Sequence, residues 1–265
     1  MKCPHCKAEV PDQVRYCPNC GADLGIPIDT SRLASSGGLM LGQAARQARL
    51  AAVCEPGELI GVRAYNAILL GVLLWGLLVN VLLCVFVSDA LSAVNPLLFL
   101  IAYFACSLVG IRVAAKSHKP LISFLGYNLV VVPFGLVIST LVSAYGGVSS
   151  SVVTDAFVYT LLISVGMGAA AVIAPSLFDR LGGALLGCLI GLLVCEIALL
   201  LFRVNQSVTD WVVAGLFSLY IGYDIHRSQQ FPKTVDNAVD CALDIYLDVA
   251  NLFLRLLELM GRRKD

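Results

Sequence analysis

Residues 211–259 read WVVAGLFSLYIGYDIHRSQQFPKTVDNAVDCALDIYLDVANLFLRLLEL, two apolar runs joined by a short polar stretch. Asp224 lies in the first run, Trp211–Ile225, and Asp248 lies in the second, Asn237–Leu259. A charged group deep in a membrane segment costs several kcal/mol and by default marks an ion or proton site. The two aspartates therefore indicate a function with ions or protons rather than a packing role.

Composition places these runs in a polytopic membrane protein. The 265 residues are 58% hydrophobic and 14% charged, whereas a soluble domain carries roughly 25% charged residues. Apolar windows of roughly 17 to 25 residues are long enough to cross a bilayer. We therefore expect an all-α fold of seven helices. The seven windows are Ala64–Ser88, Leu97–Ala114, Leu121–Tyr145, Ala156–Leu177, Leu181–Phe202, Trp211–Ile225 and Asn237–Leu259.

Charge distribution predicts the orientation of the chain in the cell (inner) membrane. Seven Lys and Arg residues precede Ala64, and the expected outside loops Asp89–Pro96 and Gly146–Asp155 have none. Cytoplasmic loops are enriched in Lys and Arg, so the N-terminus is expected in the cytoplasm. Residues 262–264, Arg-Arg-Lys, oppose this rule if every segment spans. Either the last helix is buried or re-entrant, or the earlier loops decide the orientation.

Four cysteines near the N-terminus predict a zinc site. Cys3 and Cys6 form one Cys-x-x-Cys pair, and Cys17 and Cys20 form a second, ten residues later. Two such pairs place four thiolates around one tetrahedral Zn²⁺, a closed structural site. A redox or disulfide pair is the alternative, which a reducing cytoplasm disfavours. The predicted parts are a zinc ribbon at 1–24, a flexible tether at 25–60 and a membrane domain at 61–265.

The two aspartates are expected to meet in a helical hairpin. Asp224 and Asp248 are equidistant from position 236, within the polar stretch Phe231–Asn237. In an antiparallel hairpin, residues equidistant from the turn lie at about the same depth. Two carboxylates in contact at low dielectric would share a proton and titrate as a unit. Fully deprotonated, they would form a hard oxygen site suited to Ca²⁺.

A stripe of acids leads toward this pair. Asp236, Asp240, Asp244 and Asp248 recur every four residues, and Asn251 continues the row. Each step of four drifts about 40° round a helix, so the row forms one tilted stripe roughly 18 Å long, which suits a cation entrance. The alternative for Asp236 and Asp240 is that they are solvated or are N-terminal helix residues favoured by the helix dipole.

Other groups in the membrane windows are fewer. Arg112 is a candidate counter-charge to the aspartate pair or, equally, a snorkelling arginine at the interface. Glu196 is a candidate path residue for which the sequence suggests no partner. The repeat of Gly183, Gly187 and Gly191 favours close helix packing. The formal net charge of +0 gives no support for binding nucleic acid by bulk electrostatics.

The hairpin motifs FSLYIGYD, residues 217–224, and ALDIYLDVANLF, residues 242–253, resemble the signature of the Bax inhibitor-1 family, also called the transmembrane Bax inhibitor motif family. The stretches Gly126-Tyr-Asn128 and Ala156-Phe-Val-Tyr159 are also similar to it. The resemblance implies seven helices with the last surrounded by the other six, and a pH-sensitive Ca²⁺ leak. It further implies that Asp224 and Asp248 are the di-aspartyl sensor, with Arg112 as the partner. The zinc ribbon is a departure from the family pattern.

Three functions compete at this point. The first is a pH-gated Ca²⁺ leak of the membrane, which is not an enzyme. The second is a regulator that transports nothing and whose zinc ribbon docks a protein partner such as a membrane protease. The third is an intramembrane aspartyl protease, because Tyr223-Asp224 resembles the motif of those enzymes. They carry Gly-x-Gly-Asp at the second aspartate, however, and here Ile245, Tyr246 and Leu247 precede Asp248.

Overall fold

The protein is seen in a computed structural model that describes residues 2–7, 17, 24, 59–87, 96–116, 119–179, 181–201 and 207–262. The regular structure of this part is helical, as expected. The predicted tether falls almost wholly outside the described residues, as does Cys20. The helices are α1 (Val62–Phe86), α2 (Pro96–Lys116), α3 (Pro120–Ala144), α4 (Ser151–Ile173), α5 (Pro175–Asp179), α6 (Gly182–Leu201), α7 (Ser207–Ser228) and α8 (Val235–Gly261).

The helix ends follow from local sequence. Pro120 opens α3, where a missing N–H costs nothing. The turn from α3 to α4 contains Gly146 and Gly147 at φ of +94° and +78°, a conformation that glycine adopts without a steric penalty. Thr234 caps α8, and its hydroxyl accepts a hydrogen bond from the Asn237 N–H at 3.1 Å. These local signals separate the long apolar windows into distinct helices.

The last long helix lies at the centre of the bundle. Most residues of α8 are buried, including its polar positions Asp236, Asp240 and Asp248. Four helices pack against it directly: α1, α3, α4 and α7. The remaining long helices lie further out, α2 against α3 and α6 against α7. The prediction of a bundle with a central C-terminal helix is confirmed, with α1, α3, α4 and α7 as the main packing partners of α8 and with α2 and α6 further out.

The outer faces of the bundle are apolar. Large hydrophobic side chains such as Phe86, Phe104 and Leu162 are more than half exposed, which suits contact with lipid. Three helices, α1, α3 and α4, are long and apolar enough to cross a membrane, and two shorter apolar stretches lie in α2 and α6, at Ile101–Ala114 and Ala184–Leu199. The fold is therefore that of an all-α membrane protein. The described chain has seven long helices, as predicted, and the five-residue α5 in addition.

Close helix contact occurs at other glycines than those expected. A Cβ at Gly187 or Gly191 would meet no atom within 4 Å, so the packing role predicted for these two was wrong. The surroundings of Gly183 lie outside the described part of the chain. At the α2–α3 contact, a Cβ on Gly110 would lie only 2.7 Å from the Gly126 carbonyl oxygen. This contact between the backbones of two helices therefore uses one glycine from each helix rather than a repeat along one.

Candidate functional site

The candidate site lies in the hairpin formed by α7 and α8. The turn covers residues 229–234, because α7 ends at Ser228 and α8 begins at Val235. The predicted hairpin centre at position 236 is wrong, because Asp236 belongs to the first turn of α8. Measured from the true turn, Asp224 and Asp248 are not equidistant. Their relative depth has to be derived from contacts that span the two helices.

Tyr65 of α1 provides such a contact. Its hydroxyl donates to the Ser228 carbonyl oxygen at 3.0 Å and lies 3.4 Å from the Cys241 Sγ. Ser228 of α7 and Cys241 of α8 are therefore at about the same depth. Asp224 lies four residues deeper on α7 and Asp248 lies seven residues deeper on α8. The three-residue offset corresponds to about 4.5 Å along the axis.

Side-chain direction reduces this offset. Helical side chains lean toward the N-terminus of their own helix. Because the two helices are antiparallel, Asp224 leans away from the turn while Asp248 leans back toward it. This lean brings the two carboxyl groups closer in depth than the two Cα atoms. Both aspartates are 8% exposed, so both carboxyl groups lie largely inside the protein.

The faces of the helices agree with this placement. On α7, a stripe with alternating spacings of four and three runs from Asp210 to Ser228 and includes Asp224. Both ends of the stripe contact α8 or its neighbours, since Asp210 pairs with Arg255 and Ser228 shares Tyr65 with Cys241. We call the interface along this stripe the seam. Its α7 members are Asp210, Ala214, Phe217, Ile221, Asp224 and Ser228.

On α8, the seam follows a seven-residue spacing. Cys241 and Arg255 are the α8 residues in the two contacts just described, and Asp248 lies seven residues from each. A spacing of seven returns a side chain to nearly the same face of a helix. Asp248 therefore lies on the face of α8 that packs against α7. Both aspartates thus lie on the seam stripes of their own helices, and their direct pairing stays a prediction from the sequence.

The acidic stripe is largely inside the protein. Asp236, Asp240 and Asp248 are buried and Asp244 is half-buried. Asp236 accepts a hydrogen bond of 2.6 Å from the Ser123 hydroxyl of α3. Its place in the first turn of α8 matches the helix-dipole alternative, but the solvated alternative for Asp236 and Asp240 is wrong, since both are covered. Asn251 donates its amide to the Leu247 carbonyl oxygen at 2.7 Å, within its own helix.

A lysine lies beside the stripe in the turn. Lys233 is 2% exposed, and its ammonium donates to the carbonyl oxygens of Ser228 and Gln229 at 3.1 and 2.8 Å. The Nζ also lies 4.5 Å from the centre of the Tyr65 ring. Burial lowers the pKa of Lys233 from 10.5 to about 8, and the nearby Cys241 thiol acts in the opposite direction. The positive charge of this lysine is directed at main-chain oxygens at the end of α7.

The turn is also attached to the segment that precedes α1. The Ile60 N–H donates to the Lys233 carbonyl oxygen at 2.8 Å, and Leu59 forms an antiparallel bridge with Thr234. The end of the predicted tether is thus bonded to the loop between the two helices of the site. Sequence reasoning missed this contact because it joins segments more than 170 residues apart, beyond the reach of any local pattern.

Arg112 and Glu196 are placed differently from the aspartate pair. Arg112 is exposed on α2, a helix that packs against α3, so its role as counter-charge stays a prediction from the resemblance. Glu196 of α6 has a partner that the sequence did not suggest, since Arg255 of α8 lies 2.9 Å from its carboxylate. The sequence contains a signal for such a partner, because Arg255 lies among leucines, seven residues after Asp248.

The described cysteines of the N-terminal segment fit a zinc ion. The Sγ atoms of Cys3, Cys6 and Cys17 all lie within 4.8 Å of one another, and those of Cys6 and Cys17 are 3.5 Å apart. Tetrahedral Zn–S bonds of about 2.3 Å require sulfurs about 3.8 Å apart. The Lys7 N–H donates to the Cys3 carbonyl oxygen at 2.9 Å, and Lys7 has φ of 59°. This tight turn directs the first two thiols to one point.

The fold and the two clusters define a helical membrane protein with a buried acidic hairpin and an N-terminal cysteine cluster. Residues 61–265 match the family model described as inhibitor of apoptosis-promoting Bax1, and residues 2–24 match that of a zinc-ribbon domain. The chain therefore belongs to the Bax inhibitor family and carries a zinc ribbon in addition. The resemblance deduced from the hairpin motifs is confirmed. A search of curated proteins gave no significant match.

Proposed function

We propose that the protein is a pH-sensitive Ca²⁺ leak of the cell membrane, with its N-terminus in the cytoplasm, gated by Asp224 and Asp248. The observation that supports this proposal is the burial of both aspartates, one on each helix of the α7–α8 hairpin. Carboxylate oxygens are the ligands that Ca²⁺ prefers, and paired buried carboxylates exchange a proton for a cation with little change in net charge.

The acidic stripe supplies the approach to the pair. Asp240 and Asp244 precede Asp248 by two turns and one turn of α8, so a cation entering near the turn meets a carboxylate about every 6 Å. At acid pH one proton shared between Asp224 and Asp248 holds the two side chains together and closes the seam. Loss of that proton leaves two negative charges that repel each other unless a divalent cation lies between them.

The protein reconstituted in liposomes tests the gate. Ca²⁺ uptake is measured between pH 5 and 8 for the wild-type chain, Asp248→Asn and Asp224→Asn. Asp155→Asn is the matched control, because Asp155 is an exposed aspartate at the start of α4. We expect a pH-dependent uptake that each pair variant changes and the control does not. Equal uptake and equal pH response in Asp248→Asn and wild type would remove the aspartate pair from the mechanism.

A second role, as an adaptor, is favoured by the attachment of the N-terminal segment to the site. We propose boundaries of 1–24 for the zinc ribbon, 25–60 for the tether and 61–265 for the membrane domain. Ile60 and Leu59, at the end of this tether, bond to Lys233 and Thr234 in the hairpin turn. A protein partner bound to the ribbon, such as a membrane protease, could thereby act on the turn.

Deletion of residues 1–24 separates the two roles. Unchanged Ca²⁺ uptake with loss of a co-purifying membrane partner would assign docking to the ribbon and transport to the helices. Loss of uptake in the deletion, with α1–α8 still folded by circular dichroism, would show that the ribbon controls the leak. Cys17→Ser in the full chain is the companion variant, because it removes one buried thiol and leaves the tether intact.

The structural ion of the ribbon is proposed to be Zn²⁺, held by Cys3, Cys6 and Cys17 with Cys20 as the fourth thiolate. A closed shell of four thiolates supplies folding energy and leaves no open position for catalysis. Metal analysis of the purified chain should give one zinc per protein, and Cys17→Ser should bind markedly less. An equal zinc content in both would contradict the proposed ligand set.

A protease role receives no support from the residues before Asp248. Ile245 and Tyr246 are fully buried, and the Tyr246 hydroxyl exchanges hydrogen bonds with the Asn80 amide of α1. A substrate strand would have to displace these side chains to reach the aspartates.

A further inference from the structure

A second charged cluster occupies the end of the seam far from the turn. Arg255 of α8 lies 2.9 Å from Glu196 of α6 and 3.1 Å from Asp210 of α7. Glu258 lies 3.4 Å from the same guanidinium, and Arg262 lies 2.8 Å from the second oxygen of Asp210. Asp210 is completely buried. One arginine thus joins three helices in the otherwise apolar part of the bundle.

We infer that Arg255, held by Glu196 and Asp210, is a second barrier in the seam, in series with the aspartate pair, which excludes cations from the far end. Arg255 follows Asp248 by seven residues on the same face, about 10 Å further along α8. A cation that passes the pair meets a closed set of ion pairs there, which joins α6, α7 and α8. The guanidinium cannot lose its proton in proteins, so this barrier opens by separation of helices rather than by titration.

The composition of the cluster explains why the barrier is closed at rest. Three carboxylates surround two arginines, so both positive charges are compensated. Arg255 needs this compensation because its side chain is three-quarters buried. Breaking such a pair inside a protein is strongly unfavourable, because the remaining charge has lost its solvent. Removal of Arg255 makes the site more negative, because Glu196 and Asp210 lose the guanidinium that they share and then attract cations. Movement of α6 away from α7 and α8 would expose the same carboxylates.

The cation route along the seam is the function proposed above, so the experiment measures access to the seam separately from flux. Ala214 lies on the seam of α7, one turn from Asp210, and is 5% exposed. The full-length Ala214→Cys chain in liposomes is treated with a cationic, membrane-impermeant methanethiosulfonate reagent. The chain without this substitution corrects for the native cysteines. The labelling rate at position 214 is then compared among chains that also carry Arg255→Gln, Arg255→Lys, Asp210→Asn or Arg63→Gln. Arg63→Gln is the control, because Arg63 is an exposed arginine on α1.

We expect Arg255→Gln to raise the labelling rate of position 214 by about tenfold or more, the size of a lost coupling between neighbouring charges. Arg255→Lys should have a smaller effect, and Arg63→Gln none. If Arg255→Gln fails to fold, the labelling rates of Arg255→Lys and Asp210→Asn are used instead, because these variants weaken the same ion pair at each of its two partners. Equal labelling in all folded variants would overturn the barrier.

Flux through the same liposomes distinguishes this inference from the proposed leak. Raised labelling together with raised Ca²⁺ uptake in Arg255→Gln supports both. Unchanged labelling and uptake in Arg255→Gln, with uptake altered in Asp248→Asn, overturns the barrier and leaves the leak standing. Raised labelling of position 214 without Ca²⁺ uptake in any variant supports the barrier against cationic reagents and contradicts the Ca²⁺ leak.

Discussion

The two ends of the α7–α8 seam both contain clustered acids, but in opposite electrostatic settings. At the far end, Glu196, Asp210 and Glu258 are held by Arg255 and Arg262 through ion pairs of 2.8 to 3.4 Å. At the turn end, five aspartates lie on α7 and α8, at positions 224, 236, 240, 244 and 248. Lys233, in the turn beside these aspartates, donates its ammonium to the main-chain carbonyl oxygens of Ser228 and Gln229.

This difference separates a structural use of buried charge from a responsive one. Carboxylates paired with arginine fix the helices that they join, because the guanidinium holds a carboxylate in a defined geometry. Closely spaced carboxylates instead exchange protons or bind cations, because each added negative charge raises the cost of the next. The far end is therefore expected to determine stability, and the turn end to determine the response to pH and Ca²⁺.

The largest expected effect is the loss of Arg255. Arg255→Met removes the partner of Glu196 and of the fully buried Asp210, and should lower the free energy of unfolding by about 3 kcal/mol. Chemical denaturation of the detergent-solubilised chain measures this value. Adding Asp210→Asn to Arg255→Met should recover part of the loss, since no buried carboxylate is then left without its arginine. Additive losses in the double variant would show that the two residues do not form one unit.

The second effect compares stability across pH at the turn end. Because the pKa of folded Lys233 is about 8 and its usual value is 10.5, the unfolded chain binds more protons between these values. The stability of the wild type should therefore rise with pH relative to Lys233→Met, by about 2 kcal/mol from pH 8 to pH 10. Thermal unfolding of both chains at several pH values measures the difference. Parallel curves would mean that Lys233 stays charged in the folded protein.

The sequence predicted what local patterns determine. Hydropathy windows gave the seven long helices because a membrane segment must satisfy its own backbone and be apolar along its length. The spacing of Cys3, Cys6 and Cys17 gave the ribbon because a tetrahedral ion needs closely spaced thiols. The burial of Asp248 followed from its apolar neighbours. Each of these features depends on residues that are close in the chain.

The register of the hairpin and the partners of the charges could not be predicted in this way. The end of the turn is set by Thr234, which caps α8. The polar residues continue past this cap to Asn237, so the polar run does not mark the helix start. The relative depth of Asp224 and Asp248 follows from the contacts that Tyr65, a residue of the first helix, makes with both α7 and α8. The pairing of Glu196 with Arg255 joins residues 59 positions apart. Such contacts arise from the packing of helices, on which a single sequence gives no direct information.

A third prediction applies one chemical change to both ends of the seam. Asp210→Asn removes the acceptor of two arginines and should destabilise the protein by about 1 to 2 kcal/mol, while the pH response of Ca²⁺ uptake stays as in the wild type. Asp248→Asn relieves repulsion within the acidic stripe, so its stability should be equal or higher and its pH response altered. Unfolding and uptake are measured on the same preparations. An exchange of these two phenotypes would reverse the assignment of the two ends.

The smallest effect concerns the middle of the stripe. Asp244 is half-buried and has Asp240 and Asp248 four residues to either side on α8, and like charges at this spacing destabilise a helix. Asp244→Asn should therefore raise the free energy of unfolding at neutral pH by about 0.5 kcal/mol, and the gain should vanish at acid pH, where fewer of the three carboxyls are charged. Asp155→Asn, on the exposed start of α4, controls for the loss of one negative charge. A loss of stability in Asp244→Asn alone would show that this carboxylate makes a favourable contact in the folded protein. The acids of the turn end would then stabilise the fold as those of the far end do.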